Sequence, residues 1–97
     1  MSPLEASIVA SILGYAATLP EAWFEKRHGS AYGSAGRPDI TGCIRGRRVE
    51  VEVKQPGVGP TMRQRVELAR WAKAGAVTGV VHSRDEFVAL LRAEGLV

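Results

Sequence analysis

The sequence predicts a single α/β domain over residues 1–97, a mixed sheet flanked by helices in the order α-β-β-β-α-β-α. Three observations predict it. Three segments keep a helical apolar period behind N-cap signals, and a two-residue hairpin signal joins two central strands. A short apolar run after the second helix reads as a buried strand reached by a crossover. The composition, 45% hydrophobic and 24% charged, is that of a globular chain, which excludes wholesale disorder.

Ser2-Pro3-Leu4-Glu5 opens the first helix, with Ser2 as N-cap, Pro3 at N1 and Glu5 closing a capping box. Leu4, Ile8, Val9, Ile12, Leu13 and Ala16 carry its apolar face to about Thr18, and Pro20 stops it. Residues 22–28, with Trp23 and Phe24, read as a strand. Residues 29–36 form a small-residue loop with three glycines, expected to be mobile until a ligand orders it. Two strands, Pro38 to Ile44 and Arg47 to Lys54, turn at Arg45-Gly46. In the second, Val49, Val51 and Val53 face one way, and Glu50, Glu52 and Lys54 the other.

Residues 55–60, with two prolines and two glycines, break that strand. Thr61 and Gln64 form the capping box of the second helix. Met62, Val66 and Ala69 lie on one of its stripes, with Leu68, Trp71 and Ala72 on the next, and Gly75 ends it. Residues 76–81 are the buried strand. Ser83 and Glu86 suggest a third capping box, for a helix carrying Phe87, Leu90 and Leu91 to Gly95.

The net charge of +3 is unevenly spread. Residues 26–73 hold eleven bases and four acids, while residues 1–25 hold three acids and no base. So concentrated a charge favours a polyanion such as nucleic acid. No apolar run approaches the roughly 20 residues of a membrane span, and no basic stretch opens a secretory signal. The lone Cys43 makes no internal disulfide, which points to a reducing, cytoplasmic setting.

The chemistry lies on the central hairpin. A turn at Arg45-Gly46 pairs residues whose numbers sum to about 91, which sets Asp39 opposite Glu52. Two carboxylates so placed repel unless one takes a proton or a cation sits between them. Oxygen ligands suit a hard divalent ion. Lys54 leaves the same face as Glu52, where it can orient or deprotonate an attacking water or stabilise charge on a phosphorane.

Pro38-Asp39 followed by Glu52-Val53-Lys54 resembles the PD-(D/E)XK nuclease superfamily. The wider run, from Gly36-Arg37-Pro38-Asp39-Ile40 through Glu50-Val51-Glu52-Val53-Lys54 to Thr61-Met62-Arg63-Gln64, resembles its VRR-NUC group, the virus-type replication and repair nucleases. The resemblance covers roughly residues 5 to 81. It implies a restriction-endonuclease-like core and a metal-dependent endodeoxyribonuclease acting on structured DNA, such as Holliday junctions or flaps. It further implies Mg²⁺ or Mn²⁺ held by Asp39, Glu52 and the Val53 carbonyl, Lys54 as catalytic, Glu5 as an added acidic ligand and Gln64 as a supporting residue. No organic cofactor is expected. A stand-alone copy looks, by analogy alone, like a phage-encoded protein working in a bacterial cytoplasm.

Other readings stand beside these. Glu5 and Gln64 are also capping residues, and Glu50 lies on the site's face at a second level. Arg37, Lys26, Arg27 and Arg63 are candidate nucleic-acid contacts, and Tyr32 could stack on a base. Trp23 and Trp71 read as packing residues, Cys43 as a small buried hydrophobe, and His28 and His82 as isolated. A homodimer is expected because a four-way junction is cut on two strands related by a twofold axis. The wide apolar face of the second helix and the face of the first are its candidate interfaces. The competing function is a non-catalytic nucleic-acid-binding module using the basic 26–73 region.

Overall fold

Each helix begins where a side chain can take over an unpaired backbone amide. The computed structural model describes residues 1–28 and 36–97. Helix α1 (Pro3–Ala16) carries the complete Ser2/Glu5 capping box, and α2 (Met62–Lys73) the complete Thr61/Gln64 one. Helix α3 (Arg84–Ala93) has only half of its expected box. Ser83 accepts from the Glu86 amide, but the Glu86 carboxylate turns to His82 instead.

Strands β1 (Ala22–Lys26), β2 (Ile40–Ile44), β3 (Arg47–Val53) and β4 (Val77–Val81) form one sheet in the order β1-β2-β3-β4. The first two pairings are antiparallel, and β3 with β4 is parallel through the α2 crossover. The predicted α-β-β-β-α-β-α order and mixed sheet are thus present. The hairpin register is the expected one: Ile40 pairs with Val51 and Ile44 with Arg47, around Arg45 and Gly46 at positive φ.

The valine side of β3 builds the core. Val49, Val51 and Val53 meet Ile40, Ile44, Val77 and Val81 on the sheet, with Val9 and Ile12 of α1 and Phe87 and Leu91 of α3 above them. Phe24 lies flat across β2, edge-on to Phe87 at 5.6 Å. That is why β2 has a glycine at its centre: a Cβ on Gly42 would sit 2.2 Å from the Phe24 ring. Helix α1 therefore spends its apolar face on the core, with Val9 and Ile12 buried and Ile8 and Leu13 packed against it. Of that face Leu4 alone stays exposed, so α1 offers a partner far less than expected.

Helix α2 lies on the opposite side of the sheet, over β3 and β4. It buries only Leu68 and leaves Met62 74% exposed and Val66 exposed beside it. Two further expectations fail. Trp23 is 71% exposed and Cys43 is exposed, because among the described residues no helix covers the α2 side of β1 and β2. These residues instead line an open groove of about 230 Å³ with Glu25, Thr41 and Arg48. Trp71 does pack, its ring 4.6 Å from the Arg48 guanidinium. The glycine-rich loop before Gly36, with Tyr32, lies outside the described residues.

Candidate active site

Two glutamates leave the same face of β3 beneath α2, and both are buried, yet they meet opposite surroundings. Glu50 is enclosed by donors. Its Oε1 accepts from Arg27 Nη1 at 2.8 Å, and its Oε2 from Arg48 Nε at 2.8 Å and from the Thr41 hydroxyl. Two guanidiniums thus compensate one buried carboxylate, as burial of a charge requires.

Glu52, only 2% exposed, has no such shell. Its Oε2 is fully enclosed and, among the described residues, has no hydrogen-bond partner. Burial first, then a hydrogen bond with Asp39, then the negative charges of Asp39 and Glu5, push its carboxyl up to about 9 against the pull of Lys54. Without a cation, the enclosure thus favours the protonated form of Glu52. The sequence register set these two carboxylates opposite each other, and the structure brings them together.

Asp39 sits one residue before β2. Its Oδ2 accepts from the Val53 amide at 2.9 Å, which ties it to the end of β3 between Glu52 and Lys54. The Lys54 amide continues the sheet by donating to the Val81 carbonyl at 3.0 Å. Its side chain is half-buried. Glu5 reaches the same region from α1: its Oε2 accepts from the Gln55 amide at 3.3 Å, while its Oε1 serves the capping box. The capping role of Glu5 is thus present, and its negative charge is felt at Glu52. The Gln64 side-chain oxygen accepts from the Thr61 amide at 2.8 Å, and this is the capping role.

The expected phosphate contacts separate into three groups. Arg37 and Arg63 are exposed. They come together at Gly36, where a Cβ would meet Arg63 Cγ at 2.9 Å and its carbonyl oxygen at 3.0 Å. Gly36 also has φ +83°, so glycine is needed there twice over. Lys26 is exposed but pairs with Ile40, which places it on the side of the sheet away from Glu52. Arg27 is only 12% exposed, and its Nη1 is held by Glu50 and the Pro38 carbonyl, not offered to solvent. Sequence reasoning missed this pairing. The available signal was Glu50 itself, a carboxylate on a central strand two residues from Glu52, which could be buried only with a base beside it.

No protein-family model matches the chain, and no curated protein matches it. Solved structures do. A VRR_NUC domain superimposes with a TM-score of 0.78 at 27% identity, over 94% of this chain and 97% of that one. A VRR_NUC domain protein superimposes at 0.75 with 14% identity, over 96% of this chain and 88% of that one, which speaks to the fold alone. The chain has the VRR-NUC fold. The first of these neighbours supports a nuclease domain of the PD-(D/E)XK type.

In this VRR-NUC fold the donor set fits a divalent ion at Asp39 and Glu52. The enclosed Oε2 of Glu52 lacks a partner among the described residues, and the Asp39 carboxylate lies beside the same group. Among the described residues no group of three or more His, Cys, Asp or Glu side chains is gathered to hold a metal. The fit is therefore to an oxygen pair, a partial set that suits a hard ion retaining much of its water.

His82, just past β4, holds the chain that follows Lys54. Its Nδ1 lies 2.9 Å from Glu86 Oε1, and its Nε2 lies 2.9 Å from the Val58 carbonyl. Both partners are acceptors, so only the imidazolium can donate to both. Glu86 first, then the Val58 carbonyl, raise its pKa above 6.5. The contribution to stability is therefore fully present below about 6.5 and is lost as pH rises through the raised value. In an NMR titration the His82 ring and the residue 57–59 amides should shift together, with a midpoint above 6.5. A midpoint at or below that value contradicts the clasp.

Proposed function

We propose that this protein is a Mg²⁺- or Mn²⁺-dependent endodeoxyribonuclease that hydrolyses phosphodiester bonds in branched DNA. The observation that carries the reading is the buried, partnerless Oε2 of Glu52 beside Asp39. A fold does not maintain an enclosed acid facing another acid for stability, since isosteric packing costs less. Asp39, Glu52 and the Val53 carbonyl would hold the ion, with Glu5 adding negative charge behind them. When bound, such an ion supplies Lewis acidity toward a phosphate oxygen. Lys54 holds or takes a proton at the attacking water, or stabilises charge developing on the phosphate oxygens. Arg37 and Arg63 hold the flanking backbone by charge.

Branched DNA and a homodimer are the finer parts of the reading. A four-way junction presents two scissile strands about a twofold axis, and a dimer with twofold symmetry presents two sites. The exposed Met62 and Val66 on α2 offer it an apolar contact.

The test is incubation with Mg²⁺ or Mn²⁺ and labelled linear, flapped and four-way DNAs. Branched substrates should be cut only when the metal is present. Asp39→Asn should remain folded and bind the DNA but lose cleavage. If Asp39→Asn cuts at the wild-type rate, the assignment of the site is wrong. Light scattering reports the dimer independently.

A further inference from the structure

We propose that Glu50, acting through Arg27, is a positioning residue for Asp39. The inference rests on the reading of Asp39 and Glu52 as the metal-holding pair.

Asp39 stands outside the regular ladder. Strand β2 begins only at Ile40, and the last paired rung is Lys26 with Ile40. Residues 36–38 just before it belong to no strand. Arg27 extends the hold beyond the ladder in two ways. Its amide donates to the Asp39 carbonyl at 2.7 Å, and its Nη1 donates to the Pro38 carbonyl at 2.9 Å. The peptide carbonyls on both sides of the Asp39 Cα are therefore gripped by one residue. The carboxylate end is fixed separately, by the Val53 amide at 2.9 Å.

A guanidinium on a long, flexible stem fixes nothing unless it is itself fixed. Glu50 does this: its Oε1 takes the same Arg27 Nη1 at 2.8 Å, from a side chain with no exposure at all. Glu50 is braced in turn by Arg48 Nε at 2.8 Å and by the Thr41 hydroxyl, both on its other oxygen. The chain of contacts runs from the central strand to Glu50, to Arg27, to the Pro38-Asp39 peptide. It converts the rigidity of β3 into the placement of a side chain that lies beyond the sheet. Arg48 shares Glu50 but touches neither Pro38 nor Asp39 in this network, so it serves as an internal control.

The experiment uses Mn²⁺ alone with the full chain, without DNA. Free Mn²⁺ is followed by its paramagnetic resonance signal, and Val53 amide exchange is followed in metal-free protein. The variants are Glu50→Gln, the double variant Arg27→Met with Glu50→Gln, and Arg48→Met. The double variant removes both charges together, so no unpaired buried charge is left to unfold it. Mn²⁺ affinity should fall about tenfold in the double variant, the scale of losing an outer hydrogen-bond partner of a metal ligand. The Val53 amide, released by a displaced Asp39, should exchange about tenfold faster. Arg48→Met should change both readouts much less than the double variant does, even where it lowers Tm.

A folded double variant with wild-type Mn²⁺ affinity and Val53 protection overturns the proposal. So does Arg48→Met weakening both readouts as much as the double variant, since that marks a general loss of stability. Wild-type protein that takes up no Mn²⁺ overturns the metal reading of the site instead, and the Val53 amide then decides positioning by itself.

Discussion

Glu52→Gln is expected to depress phosphodiester hydrolysis steeply while making the metal-free protein more stable. The two effects have one cause. Glu52 is enclosed, its carboxyl is pushed up to about 9 from 4.5, and its Oε2 has no partner. In the folded state it keeps a proton that the unfolded chain has lost, so stability falls as pH rises from about 4.5 toward about 9. The amide introduced by Glu52→Gln cannot ionise, and its N–H₂ can donate to Asp39 as the protonated acid does. Recovery of even about 1 kcal/mol would raise Tm by about 4–8 °C in a domain of this size. Hydrolysis should fall by about 10²–10³-fold, the scale of losing several kcal/mol of charge stabilisation. Thermal melts across pH 5 to 9 and cleavage assays decide it together. A variant that melts lower at pH 8 contradicts the account of Glu52 as an ill-accommodated acid, and one that still cuts removes it from the chemistry.

Lys54→Ala should depress kcat by about 10²-fold or more and leave DNA affinity nearly unchanged. Lys54 follows the last residue of β3, and its charge is felt at Glu52, where it opposes the upward push of burial. It is half-buried beside that acid, unlike the exposed Arg37 and Arg63. A charge so placed acts on the reacting group more than on the distant backbone. Single-turnover cleavage at saturating DNA separates the two effects. Weaker binding with a normal rate at saturation would make Lys54 a phosphate clamp.

Local rules made most of the fold legible. The hairpin needed only Arg45-Gly46 and the valine alternation, because a two-residue turn leaves one register that keeps Val49, Val51 and Val53 on one side. That register alone put Asp39 opposite Glu52. The third capping box failed where a local rule met a tertiary competitor: Glu86 could close the box or hold His82, and it holds His82.

Burial was the harder property to read. Trp23 and Cys43 look like core residues in a strand, but whether a sheet face is covered depends on where a helix lands, and α2 lands over β3 and β4. The same placement encloses Glu50 and Glu52, which the alternating pattern could only assign to a common face.

The sequence by itself determined the element order, the hairpin register and the Asp39, Glu52 and Lys54 constellation, because each follows from contacts within a short stretch of chain. Only the tertiary structure decided which charges are paired and which are left. Arg27 and Glu50 are 23 residues apart and meet only once β1 has docked on β2. That docking takes Arg27 out of the solvent-facing basic set and gives Glu50 its counter-charge. It leaves Glu52, two residues away on the same face, with another acid for company. Electrostatic fate inside a protein is set by which groups share an enclosure, and no one-dimensional spacing carries that information.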